Sequence, residues 1–413
     1  MMKQTRFLIS VVIAAVAVII SCTGGTEQKG EVTLEWWQFW TDPAIKPTIE
    51  KMVAEYEAAN PNVKVNLSDL TWANGHEKIV VAFSSGTAPD IVELGSDWVA
   101  EFSSADQLTD ITDAIVNDTA LFHGWSPGIY DERIYAFPWI LGTRVLFVNR
   151  ELMKRAGFDE GLVPTNWPQL RQVCFKIDSL GDDIYGFGSN AAEKHRLYKK
   201  FLPFFWANDG RIISKNGKYA VFASEKAYNA LKFYKALSDS CSMIDTQRRL
   251  EDAFLAGKLG VIVSGDWLLK RIRNENIQID FTTTLIPGPS YPGKSFAGGE
   301  YLAVSATSSN KAEALKFIRY VTGRENQLLF CKANYSASPS NKEAAEDEFF
   351  KSDANLQTFI KQLSMSNMTP ATPQWVYVED VIESMLEDVL FNDAAAAESL
   401  YEANKKIKEL IFQ

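Results

Sequence analysis

The sequence predicts an α/β protein built from more than one parallel sheet flanked by helices. Two strand-and-helix alternations in its first hundred residues point that way, as does the recurrence of the pattern toward the C-terminus. The composition agrees: of 413 residues 46% are hydrophobic and 23% charged, enough to bury a large core, and the length suits two or three domains.

Val32, Leu34 and Trp36 alternate with Thr33 and Glu35, which is the period of a strand. Ile45, Ile49, Met52, Val53 and Tyr56 then recur at helical spacing until Asn60-Pro61-Asn62 ends them. Val63, Val65 and Leu67 alternate as a second strand; Ile79, Val80 and Phe83 mark a helix ending at Gly86; Ile91, Val92 and Leu94 make a third strand. This β-α-β-α-β order favours a parallel sheet covered by helices. Further on, 144–149 and 259–264 read as strands. Asn310 with Glu313 resembles a capping box opening a helix over 311–321. Val381, Met385 and Val389 share a helical face before Asn392-Asp393, and a last helix carries Leu400, Ile407 and Ile411.

The net charge of -10 and a pI near 5.1 give no broad field for phosphate backbones, so nucleic acid is not an expected partner. Three His leave little for a His-rich metal centre, and no metal or cofactor is expected. Eleven Trp are a heavy aromatic load, and some of these rings are candidates for ligand contact.

Lys3 and Arg6 precede an apolar stretch over 7–20, too short to span a bilayer comfortably, which reads as an export signal. It ends Ile19-Ile20-Ser21-Cys22, which resembles the lipobox of bacterial lipoproteins. That resemblance implies cleavage after residue 21, lipid on Cys22 and a tether over 22–30, with the folded body held outside the cytoplasm. Loss of Lys3 and Arg6 takes the charge from -10 to about -12. Cys174, Cys241 and Cys331 are too few and too scattered for a disulfide framework. One bridge with one thiol left over, or three buried apolar thiols, both fit them.

Several segments in order resemble one family. They are Trp36-Trp37-Gln38-Phe39-Trp40, Gly86-Thr87-Ala88-Pro89-Asp90-Ile91-Val92 leading to Asp97-Trp98, and Tyr135-Ala136-Phe137-Pro138. Later come Ala253 to Lys258, Gly265-Asp266-Trp267, Ala297-Gly298-Gly299-Glu300 and Trp375. Together they are similar to the family 1 extracellular solute-binding proteins, the sugar-capturing subunits of ATP-driven importers. The resemblance covers nearly the whole mature chain.

It implies a two-lobed periplasmic-binding-protein type II fold, each lobe a mostly parallel sheet flanked by helices, joined by a hinge the chain crosses three times. By position the crossings fall near 137–142, 280–287 and 321–325. Lobe one would then hold 31–138 and 286–322, and lobe two 142–280 and 325–413. The resemblance also implies a monomer that takes a mono- or oligosaccharide in the cleft and delivers it to membrane permease subunits.

A sugar ring offers an apolar C–H face and an equator of hydroxyls, so its site needs aromatic platforms with carboxylates and amides around them. Trp40, Trp98, Trp267 and Trp375 are the expected platforms. Asp97 and Glu300 are the expected hydroxyl acceptors, Gln38 serves as donor and acceptor, and Gly298-Gly299 bring backbone close to the ligand. His195 and Tyr198 stand where second-lobe contacts are expected. Two alternatives remain: a binding protein for a non-sugar solute, and a secreted glycosidase, whose acid and base flank the scissile bond. No Gly-x-Ser-x-Gly, His-Glu-x-x-His or phosphate-loop motif favours an enzyme.

Overall fold

The computed structural model describes residues 30–215, 218–335 and 338–412; the expected export signal and Cys22 lie outside the described residues. The strands, in chain order, are β1 (Val32–Gln38), β2 (Val63–Asp69), β3 (Ile91–Gly95), β4 (Ile129–Tyr130), β5 (Arg133–Ile134), β6 (Ala136–Thr143) and β7 (Val145–Asn149). They continue with β8 (Tyr185–Asn190), β9 (Ser242–Asp245), β10 (Leu259–Ser264), β11 (Phe281–Thr284), β12 (Phe296–Val304) and β13 (Asn367–Met368). Two sheets organise them. One runs β13-β12-β3-β1-β2 with β6 on β12; the other runs β11-β7-β10-β8-β9.

β1 is parallel to both β2 and β3, and β8 is parallel to both β10 and β9. The strands beside the crossings run the other way: β12 is antiparallel to β3 and β6, and β7 to β10 and β11. Each sheet is therefore mixed, because a chain that leaves a sheet and returns brings its return strand in reversed.

Periodicity explains the packing. In β1 Leu34, Trp36 and Gln38 point inward, and Trp36 meets Trp139 at 5.7 Å and Phe317 at 5.4 Å between ring centres. The helix Lys46–Ala59 buries Ile49, Met52, Val53 and Tyr56, the four periodic positions. One apolar core runs from this face of the first sheet to Phe147 and Ile262 of the second and to Phe254 of the helix Gln247–Leu255. A second core fills the far face of the second sheet, where the helix Trp375–Phe391 packs through Trp375, Val378 and Ile382.

The crossings differ from expectation. The first is at Arg144, between β6 and β7; the second joins β11 to β12 over 285–295. The helix Arg324–Asn334, expected in lobe two, packs on the first-sheet side, where Phe330 meets Trp40 at 4.7 Å and Trp139 at 5.2 Å. β13 also pairs with β12 of the first sheet, so the chain passes finally to the second unit after 368, ahead of the helix Trp375–Phe391. The capping box at Asn310 does not form. Its amide donates instead to Thr33 O at 3.2 Å, and Glu313 accepts from Tyr56 Oη at 2.5 Å, so tertiary partners win over the local cap.

Candidate functional site

The C-terminal ends of β1, β2 and β3 share one edge, and the loops that follow carry aromatic and acidic residues, as expected where α/β proteins bind ligands. β1 leads into Phe39, whose backbone N–H donates to buried Glu93 at 2.8 Å. Phe39 stacks on Trp72 at 4.1 Å with 18° between planes, and Trp72 is 43% exposed. Across the cleft, Asp97 accepts from Lys199 Nζ at 3.0 Å and Tyr198 Oη at 3.3 Å. A second contact between the units joins Lys270 to Asp42 at 2.5 Å. These pairs link the two sheet units directly.

Arg144 stands at the crossing. Its guanidinium lies 4.5 Å from the centre of the Trp267 ring and 5.2 Å from that of Phe296. One N–H donates to Thr143 O at 3.2 Å, and its Nε is buried with no hydrogen-bond partner. Burial pushes the Arg144 guanidinium down to about 10 against the attraction of Asp266 and Glu300. Glu300, on β12, faces the same group: burial, then Asp266, push its carboxyl up to about 8. Asp97 behaves oppositely. Burial works to raise it, but the Lys199 ammonium beside it holds the carboxyl below its ordinary value.

Trp267 begins the helix Trp267–Asn274, and its Nε1 donates to Glu251 at 2.5 Å. Glu251 also accepts from Gln247 at 2.5 Å, Ser264 at 3.0 Å and Arg271 at 3.2 Å. The platform is thus braced from behind while Arg144 covers part of its front.

Of the expected site residues, the structure brings together Asp97, Tyr198, Trp267 and Glu300, with His195 close by. The His195 ring contacts Glu379, and its backbone N–H donates to Glu383 at 3.0 Å, which fixes the loop to the helix Trp375–Phe391. Tyr198 is buried and reaches the cleft only through its hydroxyl.

Others stand elsewhere. Gln38 is fully buried; its amide donates to Asp69 at 2.7 Å and accepts from Trp40 N at 2.6 Å, so both ends are spent fixing the loop after β1. Trp40 lies edge-on to Phe330 and Trp139, as packing. Trp98 is 8% exposed beneath Trp72 and Phe39. Trp375 is 1% exposed in the second core and offers no face. Gly298 and Gly299 lie within β12 and serve protein packing: a Cβ on Gly299 would come within 2.3 Å of Ile140 O, and one on Gly298 within 3.1 Å of Ser96 Oγ. Trp72, Arg144 and Lys199 were the residues the sequence reading missed. Trp72 could have been found by the rule already applied to its neighbours, since it lies just past the end of β2.

A cavity of about 810 Å³ lies apart from this constellation. Successive side chains of β12 point to opposite faces: Phe296 and Glu300 look toward Arg144, and Ala297 looks into the cavity with Leu141, Trp125 and Trp206. It lies on the other face of β12 from Arg144 and is lined from both units, by Trp125 and Leu141 of the first and Trp206 and Ile212 of the second.

Glu300 gives a test through pH. Its folded value of about 8 exceeds the ordinary 4.5, so between those values the folded protein holds a proton that the unfolded chain has released. Stability therefore falls as pH rises through this window. Glu300→Gln should remove the slope: the melting temperature of the parent relative to the variant should decline from pH 5 to 8.5. A constant difference would mean that Glu300 ionises normally.

The sequence profile of the bacterial extracellular solute-binding proteins matches residues 42–328. The chain aligns over 100% of its length, at 23% identity, with 98% of the maltooligosaccharide ABC transporter solute-binding lipoprotein of Streptococcus pneumoniae (strain ATCC BAA-255 / R6). In fold it is similar to an ABC transporter solute-binding protein of Thermotoga lettingae bound with α-D-tagatose (TM-score 0.82, 21% identity, covering 92% of this chain and 100% of that one). It is also similar to UgpB of Mycobacterium tuberculosis in complex with glycerophosphocholine (TM-score 0.80, 19% identity, covering 92% and 99%). With the profile spanning more than half of its length, and the two-sheet architecture shared, this chain belongs to the bacterial extracellular solute-binding protein family.

Proposed function

We propose that this protein captures a neutral mono- or oligosaccharide between its two sheet units and passes it, chemically unchanged, to the membrane subunits of an ABC importer. One arrangement carries the reading: the exposed face of Trp72 on one side of the cleft and the indole of Trp267 on the other, with Asp97, Glu300 and Arg144 between them. A carboxylate accepts from sugar hydroxyls, a guanidinium donates to them, and a Glu carboxyl that holds its proton near neutrality does both. The relative from Streptococcus pneumoniae, named for maltooligosaccharide, supports a sugar of this kind. Ligand that touches both units stabilises the closed form, which a permease can distinguish from the open one. Outside the cytoplasm the chain works as a monomer tethered by lipid on Cys22.

A second reading rests on Arg144, whose buried Nε lacks a partner and would suit a phosphodiester. Calorimetry against a panel of neutral oligosaccharides and glycerophosphodiesters separates the two. The expected result is saturable binding of an oligosaccharide that mass spectrometry recovers intact. Cleavage of the sugar would establish a glycosidase, and binding of the phosphodiester alone would establish the second reading.

A further inference from the structure

Two thiols in the second unit approach one another behind a strand. Cys174 lies in the helix Trp167–Asp178, and Cys241 ends the helix Glu225–Cys241; both are buried in the same core. Gly186 of β8 brings the first helix close: a Cβ there would come within 2.8 Å of Cys174 Cα and 2.0 Å of its carbonyl oxygen. The next residue, Phe187, pairs with Ser242 in the parallel β8–β9 ladder, so Cys241 adjoins Gly186 at about the ordinary interstrand spacing of 4.8 Å. Both cysteines thus meet the same residue of β8; both thiols are buried and free in this structure, and Cys241 Sγ donates to Leu237 O at 3.4 Å. Cys331 is in the other core, on the helix Arg324–Asn334.

We propose that Cys174 and Cys241 form a disulfide in the exported protein, linking the two helices across the start of β8. A disulfide needs Cα atoms roughly 4.4–6.8 Å apart, and packing against one glycine of the strand brings the two cysteines toward that range, so that a rotation of the thiols would close the bridge. The location makes it persistent, because disulfides survive outside the cytoplasm and not in it. In this respect the inference rests on the extracytoplasmic reading and is independent of the sugar.

The chemistry is a two-electron oxidation. During folding, while the thiols are still exposed, one cysteine thiolate attacks an oxidant that carries an exchangeable disulfide, giving a mixed disulfide and releasing one oxidant thiol. The second cysteine, as thiolate, then attacks the protein sulfur of that mixed disulfide and displaces the oxidant's other thiol. The pair loses two protons and two electrons, and the oxidant's disulfide becomes two thiols. After folding, burial and the neighbouring Cys241 hold the Cys174 thiol well above its ordinary value, so a pair that escaped oxidation is slow to react.

The test is peptide mapping of the full chain recovered from the export compartment of expressing cells, denatured with an alkylating agent and no reductant. The expected result is a cross-linked peptide joining Cys174 to Cys241, two hydrogens lighter than the dithiol, with Cys331 alkylated. Excess dithiothreitol should lower the melting temperature by several degrees in the parent and in Cys331→Ser. The double variant Cys174→Ser/Cys241→Ser should show no such response. Full alkylation of both cysteines, a bridge to Cys331, or a melting temperature indifferent to reductant would each overturn the proposal. The same digest is searched for an N-terminal peptide beginning at Cys22, so that failure of the bridge is told from failure of export.

Discussion

Asp97→Ala should raise the dissociation constant for the sugar by on the order of 100-fold. The Asp97 carboxylate is largely buried and receives Lys199 and Tyr198 from the opposite unit. Removing one partner of a buried ion pair costs about 3–5 kcal/mol, chiefly because the remaining charge is left without compensation. That cost falls on the form in which the two units touch, since opening returns Lys199 to water. A ligand that binds by closing the protein must supply the difference, and about 2.7 kcal/mol corresponds to two orders of magnitude in affinity. Calorimetry with the oligosaccharide found by screening checks this. Asp97→Asn keeps an acceptor oxygen and should lose less. Affinity of Asp97→Ala within twofold of the parent would show that the bridge across the cleft does not govern capture.

Glu251→Ala should produce the largest loss of stability. Its carboxylate is nearly inaccessible and accepts from Trp267, Gln247, Ser264 and Arg271. Truncation leaves the Arg271 guanidinium short of one of its partners and three neutral donors unsatisfied, and breaking such a buried pair costs about 3–5 kcal/mol. For a unit of this size the melting temperature should fall by roughly 10 °C. Glu251→Gln, with an acceptor but no charge, should fall between. Because Trp267 loses its brace, sugar affinity should weaken in both variants. A melting temperature within about 2 °C of the parent would contradict the account.

β1, β2, β3, β7 and β10 were legible as alternating or short apolar segments, whereas β6, β8, β9 and β11 were not read as strands. β1 and β2 alternate, whereas β3 is buried throughout and β10 is a short apolar run bounded by Lys258 and Gly265. The third crossing was not legible, since β13 is two residues long and has no period to read. The site was half legible. Asp97 and Trp267 stand just past the ends of β3 and β10, Glu300 lies in the middle of β12, and the fold brings the three together. Gln38 was misplaced although alternation along β1 puts it on the inward face with Leu34 and Trp36. Trp375 was misplaced because an aromatic that starts an amphipathic helix packs inward as readily as it faces a ligand. Lys199 and Arg144 act through contacts between segments distant in sequence. Local pattern carries no trace of such a contact, although a lone Arg between the apolar strands β6 and β7 marks the crossing itself.

The central claim is that ligand is held between the two units, on the Arg144 and Glu300 side of the β6–β12 ribbon. A crystal structure of the protein with the oligosaccharide identified by calorimetry tests it most directly. The account predicts the sugar in contact with Trp72 and Asp97 on one side and Trp267 and Arg144 on the other, with Glu300 hydrogen-bonded to a hydroxyl. Sugar seated instead in the cavity on the other face of β12, among Trp125, Leu141 and Ala297, would contradict it.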